Sequence, residues 1–72
     1  MLADGSYDAI VFDAVALDDS ATVIDLTVLA GPHKGEVVTV TAHRLGRDPL
    51  DLLGLPATLS VEGGQPSVAL EG

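Results

Sequence analysis

Apolar and polar positions alternate along most of this chain, and the pattern predicts five strands. Thr22 to Ala30 is the cleanest, with Thr22, Ile24, Leu26, Val28 and Ala30 on one face and Val23, Asp25, Thr27 and Leu29 on the other. Period two with one mostly apolar face marks a half-buried strand. Glu36 to Ala42 repeats it, with Val38, Val40 and Ala42 inward and Val37, Thr39 and Thr41 outward. Ala57 to Val61 turns Ala57, Leu59 and Val61 inward, and Ser67 to Leu70 turns in Val68 and Leu70. The first segment, Ser6 to Leu17, is different. Ile10, Phe12 and Ala14 share one face, and Tyr7, Ala9, Val11, Val15 and Leu17 the other. Apolar residues on both faces predict a long, bent strand serving two sheets, with its break at Asp13 and Phe12 in the core.

Between the third and fourth strands the period changes. Asp48-Pro49-Leu50-Asp51-Leu52-Leu53-Gly54 reads as a helix of one to two turns. Asp48 is the N-cap, Pro49 takes the first helical position, where its missing N–H costs nothing, and Gly54 ends the helix in the left-handed conformation. Leu50, Leu53 and Leu45 are expected to pack on the sheet. Turn signals at Asp18-Asp19-Ser20, Gly31-Pro32-His33-Lys34-Gly35 and Glu62-Gly63-Gly64-Gln65 separate the strands.

The order β-β-β-α-β-β, with the helix between the third and fourth strands, is that of a small five-stranded OB-like barrel. An SH3-like barrel is the alternative, with Asp48 to Gly54 recast as a single 3₁₀ turn. The 72 residues allow one domain, 1–72. Nine Val, eleven Leu and two Ile against one Tyr and one Phe make the expected core aliphatic. With no cysteine, there is neither a disulfide framework nor a thiolate metal site.

In its first half the chain resembles a phage-borne family of small barrel proteins thought to be related to single-strand-binding proteins. The likeness rests on Leu2, Gly5, Tyr7, Ala9 and Ile10 and on a second strand ending at Gly31-Pro32-His33-Lys34-Gly35. It covers roughly residues 2 to 38. The resemblance implies an OB-like barrel and assigns no functional residue.

Charge narrows the function classes. Eleven acids against three bases give a net charge of −8. Such a field repels nucleic acid and anionic membrane. All three bases and both histidines fall between His33 and Arg47, a window that sums to +2 while the rest of the chain sums to −10. His33, Lys34, His43, Arg44 and Arg47 are therefore candidates for contact with an anion or a partner; the competing reading is local charge balance. The outer positions of the second and third strands are Val23, Asp25, Thr27, Val37, Thr39 and Thr41, a nearly uncharged surface, and Val23, Thr27, Val37, Thr39 and Thr41 form with Tyr7 a candidate protein-interaction face. A single-stranded nucleic-acid binder would use the basic window with Tyr7 stacking, but one tyrosine is a poor platform.

Enzyme signatures are missing: there is no phosphate loop, no G-x-S-x-G elbow and no H-E-x-x-H motif. His33 and His43 lie at opposite ends of a strand, and Asp18-Asp19-Ser20 lacks the Gly and Glu of a calcium loop. No metal and no cofactor are expected. No apolar run reaches membrane-spanning length, and a cytoplasmic location follows by default. The sequence thus leads to a non-catalytic binding module, its partner another protein or a second copy of itself. A weak single-strand binder and a small enzyme are the rivals.

Overall fold

The computed structural model describes residues 2–71; Met1 and Gly72, the ends of the expected domain, lie outside the described residues. Five strands and one helix follow in the order β1 (Gly5–Ala16), β2 (Ala21–Val28), β3 (Val37–His43), α1 (Pro49–Leu52), β4 (Pro56–Glu62) and β5 (Gln65–Leu70). They form one antiparallel sheet in the order β3-β2-β1-β4-β5, curled into a nearly closed OB-like barrel. No helix among the described residues is long and apolar enough to cross a membrane.

β1 is the shared strand. Its first half pairs with β4, from Gly5↔Val61 to Ile10↔Pro56. Its second half pairs with β2, from Ala9↔Val28 to Ala16↔Thr22. The register shifts between Val11 and Asp13, so Phe12 is the extra residue of a bulge. The break is thus one residue before the expected Asp13. It also takes Phe12 out of the core: the ring is 50% exposed. A bulge resets which residues face inward. Ala9 and Val11 point in before it, and Ala14 resumes the inward row after it.

The core is aliphatic. Ile24, Leu26 and Val28 of β2, Val40 of β3 and Ala57, Leu59 and Val61 of β4 are all buried, as the period-two pattern requires. Val68 and Leu70 of β5 pack against them half-buried.

The helix is a single turn. Asp48 Oδ1 accepts from the Leu50 N–H at 2.9 Å, and Pro49 stands at the first position. Gly54 follows the end of the turn with φ +82°. The leucine that packs is Leu52, wholly buried, whereas Leu50 is 75% and Leu53 45% exposed. This corrects the expectation for Leu50 and Leu53. The chain leaves the helix by pairing with β1: Gly54 N–H donates to the Val11 carbonyl at 2.8 Å, and Val11 N–H to the Leu55 carbonyl at 3.0 Å. Those two bonds fix the helix's rotation and turn Leu52 to the core.

At the β4–β5 hairpin, Gly63 (φ 57°) and Gly64 (φ 77°) supply the two positive φ angles of a tight turn matched to sheet twist. Asp4 ties the start of the chain to this tip, accepting from the Gly63 N–H at 3.0 Å and the Gly64 N–H at 3.4 Å.

Candidate functional site

The cationic residues divide into two groups. His33 and Lys34 stand in the turn between β2 and β3, while His43, Arg44 and Arg47 lie at or beyond the other end of β3. Seven strand residues separate the groups by roughly 20 Å. A window compact in sequence therefore makes no single basic edge.

Each group has carboxylates at hand. His33 Nδ1 lies 2.6 Å from Glu36 Oε2. At the far end, the Arg44 N–H donates to the Ser20 carbonyl at 2.7 Å, which sets this residue beside the Asp18–Asp19 turn. Asp18 Oδ1 accepts from the Ser20 N–H (2.8 Å), the Ser20 hydroxyl (3.0 Å) and the Ala21 N–H (2.9 Å). Those bonds, the Ser20 backbone bond foremost, hold the Asp18 carboxyl below its ordinary pKa, and His43 adds a smaller pull. Such neighbours fit local charge balance. Arg44 itself sits at φ 57°, a left-handed conformation that costs a non-glycine residue about 1–3 kcal/mol.

Tyr7 does not belong to the proposed outer face. It shares the inward side of β1 with Ala9 and packs against the core. Its hydroxyl donates to the Ala3 carbonyl. Its ring meets His33 edge-on, with centroids 6.0 Å apart. The contact braces the β2–β3 turn against β1 and leaves Tyr7 badly placed to stack on a base.

The other five residues of the face do come together, and the register adds more. Residues directly opposite in an antiparallel ladder share a face, so three rows cross the outside of β1, β2 and β3. The first is Ile10–Thr27–Val37, the second Asp13–Asp25–Thr39 and the third Val15–Val23–Thr41. Val37 and Val15 are 57% and 56% exposed. The middle row sets two carboxylates across from each other. Asp25 Oδ1 accepts from the Thr39 hydroxyl at 2.7 Å, and Asp13 Oδ1 from the Ala14 N–H at 3.0 Å. Like charges directly opposite weaken a sheet. Period two alone places Asp25 on this face beside Val23 and Thr27, but not its β1 neighbours Ile10, Asp13 and Val15. Only the bulge puts Asp13 opposite Asp25, and the sequence pattern had set the break elsewhere.

A cleft of about 280 Å³ lies between the start of β3 and the β4–β5 hairpin, lined by Leu2, Val37, Val38, Thr39, Val61, Gly64 and Pro66. Apart from the Thr39 hydroxyl, this lining offers no acid, base or nucleophile. Among the described residues no three His, Asp or Glu side chains cluster as metal ligands would. Compared with protein-family models, curated proteins and solved structures, the chain matches none.

Proposed function

We propose that the chain is a non-catalytic binding module that docks a basic protein partner on the outer face of β1, β2 and β3. The observation that carries this reading is the banding of that face, two apolar rows flanking the Asp13–Asp25 row. Apolar rows supply burial, and exposed apolar surface on a small domain marks contact sites. The facing carboxylates cost the free domain stability, and a Lys or Arg placed between them removes that cost. The partner segment therefore carries a cation between apolar side chains. The net charge of −8 draws such a partner in from a distance. The same carboxylates work against a nucleic acid on this face and against a second acidic copy laid flat on it.

Photo-crosslinking in cells tests the reading. A crosslinker at Thr27, on the face, is expected to capture a basic protein that a crosslinker at Ala69, on β5, does not. Capture should fall when Asp13 and Asp25 are both changed to Asn. Equal capture from the two positions, or none from Thr27, refutes the reading.

A further inference from the structure

The banded face is small for a protein contact. Three strands about 4.8 Å apart and three rows about 6.8 Å apart cover roughly 15 by 20 Å, or about 300 Å². A specific contact buries about 800 Å² on each partner. The contact therefore runs past one of the face's borders, and the borders differ. The two strand ends carry His33 and Lys34 or His43 and Arg44, each group with a carboxylate at hand. The border beyond β3 opens on the cleft at Leu2 and Pro66, whose lining holds no acid. None of these three draws a cationic partner. The border beyond β1 is both apolar and acidic.

Backbone geometry gathers three exposed apolar residues at that border. Gly54 and Leu55 both bond to Val11, so the next residues along the two chains, Leu53 and Phe12, lie side by side. Leu52 to Leu55 is a type II turn, closed by the Leu55 N–H on the Leu52 carbonyl at 3.1 Å, with Leu53 at φ −61°, ψ 127° and Gly54 at φ +82°. Leu53 stands at the corner of this turn and Leu50 one helical turn before it; both are exposed, while Leu52 goes to the core. Phe12 is the chain's one phenylalanine, and the bulge places it at the surface, half covered. A partner that covers the rest of a ring already half packed gives up little side-chain entropy. The acids of this stretch are Asp13, next to Phe12, and Asp48 and Asp51, on either side of Leu50; its one base is Arg47.

Building on the docking of a basic partner proposed above, we propose that its contact continues from the banded face over Phe12 to Leu53 and Leu50, with Phe12 as the anchor. Buried aromatic side chains near the centre of a contact carry much of its binding energy. On the banded face alone Phe12 stands at the rim. In the extended contact it lies between the sheet rows on one side and the two leucines on the other, near the centre. The surface then fits a partner with two basic residues, one over the Asp13–Asp25 row and one near Asp51, and apolar side chains between them over Phe12. A second copy, at −8, brings acids against these acids and does not fit.

Photo-crosslinking in cells from Leu53, beside Thr27 and Ala69, is the first test, with the captured proteins identified by mass spectrometry. The same basic protein is expected from Thr27 and Leu53 and not from Ala69. That protein, purified, is the probe for the second test, a titration of the full chain followed by fluorescence anisotropy. Phe12→Ser is expected to raise its Kd by at least about tenfold, and Leu50→Ala by about threefold. Urea midpoints close to the parent's show that neither loss is one of folding. Leu50→Ala and the Leu53 crosslink keep the test independent of whether Phe12→Ser folds. If Thr27 captures its basic protein but Leu53 does not, or if the substitutions leave Kd unchanged, the extension is overturned while the docking face stands. No capture from Thr27 overturns both.

Discussion

Replacing Leu52 with Ala tests the one place where the helix holds the barrel. The side chain is wholly buried, and the substitution deletes three carbons. At about 0.8 kcal/mol per buried carbon the transfer loss is about 2.4 kcal/mol. The void adds to this, because the two backbone bonds from Val11 to Gly54 and Leu55 keep the turn from collapsing inward. A total of about 3–4 kcal/mol lies within the usual range for Leu→Ala in a core. A 72-residue domain has roughly 4–11 kcal/mol to lose, so the variant gives up a large part of its stability. Its Tm should fall by about 12–30 °C, at about 4–8 °C per kcal/mol for a domain of this size. Urea unfolding followed by far-UV circular dichroism measures the loss. Leu50→Ala, at an exposed site one helical position from Pro49, is the control and should change stability by less than about 1 kcal/mol. If Leu50→Ala costs more than Leu52→Ala, the helix packs by a different face and this account of the plug is wrong.

Phe12→Ser should leave the fold within about 1 kcal/mol of the parent in the same urea assay, since the ring is half exposed at a bulge; a core-sized loss would refute the bulge assignment. Asp4→Ala removes the clasp on the hairpin tip and should cost about 0.5–2 kcal/mol. Amide exchange at Gly63 and Gly64 should accelerate with it, and unchanged exchange there would show that Asp4 does not hold the tip. Asp18 contributes stability that is fully present above its unfolded pKa and is lost as pH falls through its depressed folded pKa. Acid titration of Asp18→Asn should therefore show less stability lost below about pH 4 than the parent does; identical acid curves would refute this role.

How much could be read from the sequence differs by element. The inward rows of β2, β3 and β4 followed from alternation alone, because none of those strands carries an extra residue; the bulge lies on β1. β1 did not, because a bulge at Phe12 has no residue signature and reverses the facing of everything after it. The existence of α1 was legible in Asp48, Pro49 and Gly54, whose backbone preferences are local. Its buried face was not. One turn holds too few residues to establish a period, and the choice among Leu50, Leu52 and Leu53 fell to hydrogen bonds with β1. The basic window misled for a geometric reason: fifteen residues that include an extended strand separate their ends instead of gathering them. The banded face was half legible. Val23, Thr27, Val37, Thr39 and Thr41 follow from period two, but their β1 neighbours depend on cross-strand register.

The strand order also shapes how the chain must fold. β1 to β3 form a meander of local connections, and β4 and β5 form a hairpin of their own. Joining them brings Gly5 against Val61, across most of the polypeptide. The entropy of closing so long a loop is lost before the distant contacts can repay it. The barrel is therefore expected to assemble from two preformed halves on a millisecond-to-second scale, with β1 docking on β4 as the slow event. Until then the apolar inner sides of both halves lie open to solvent.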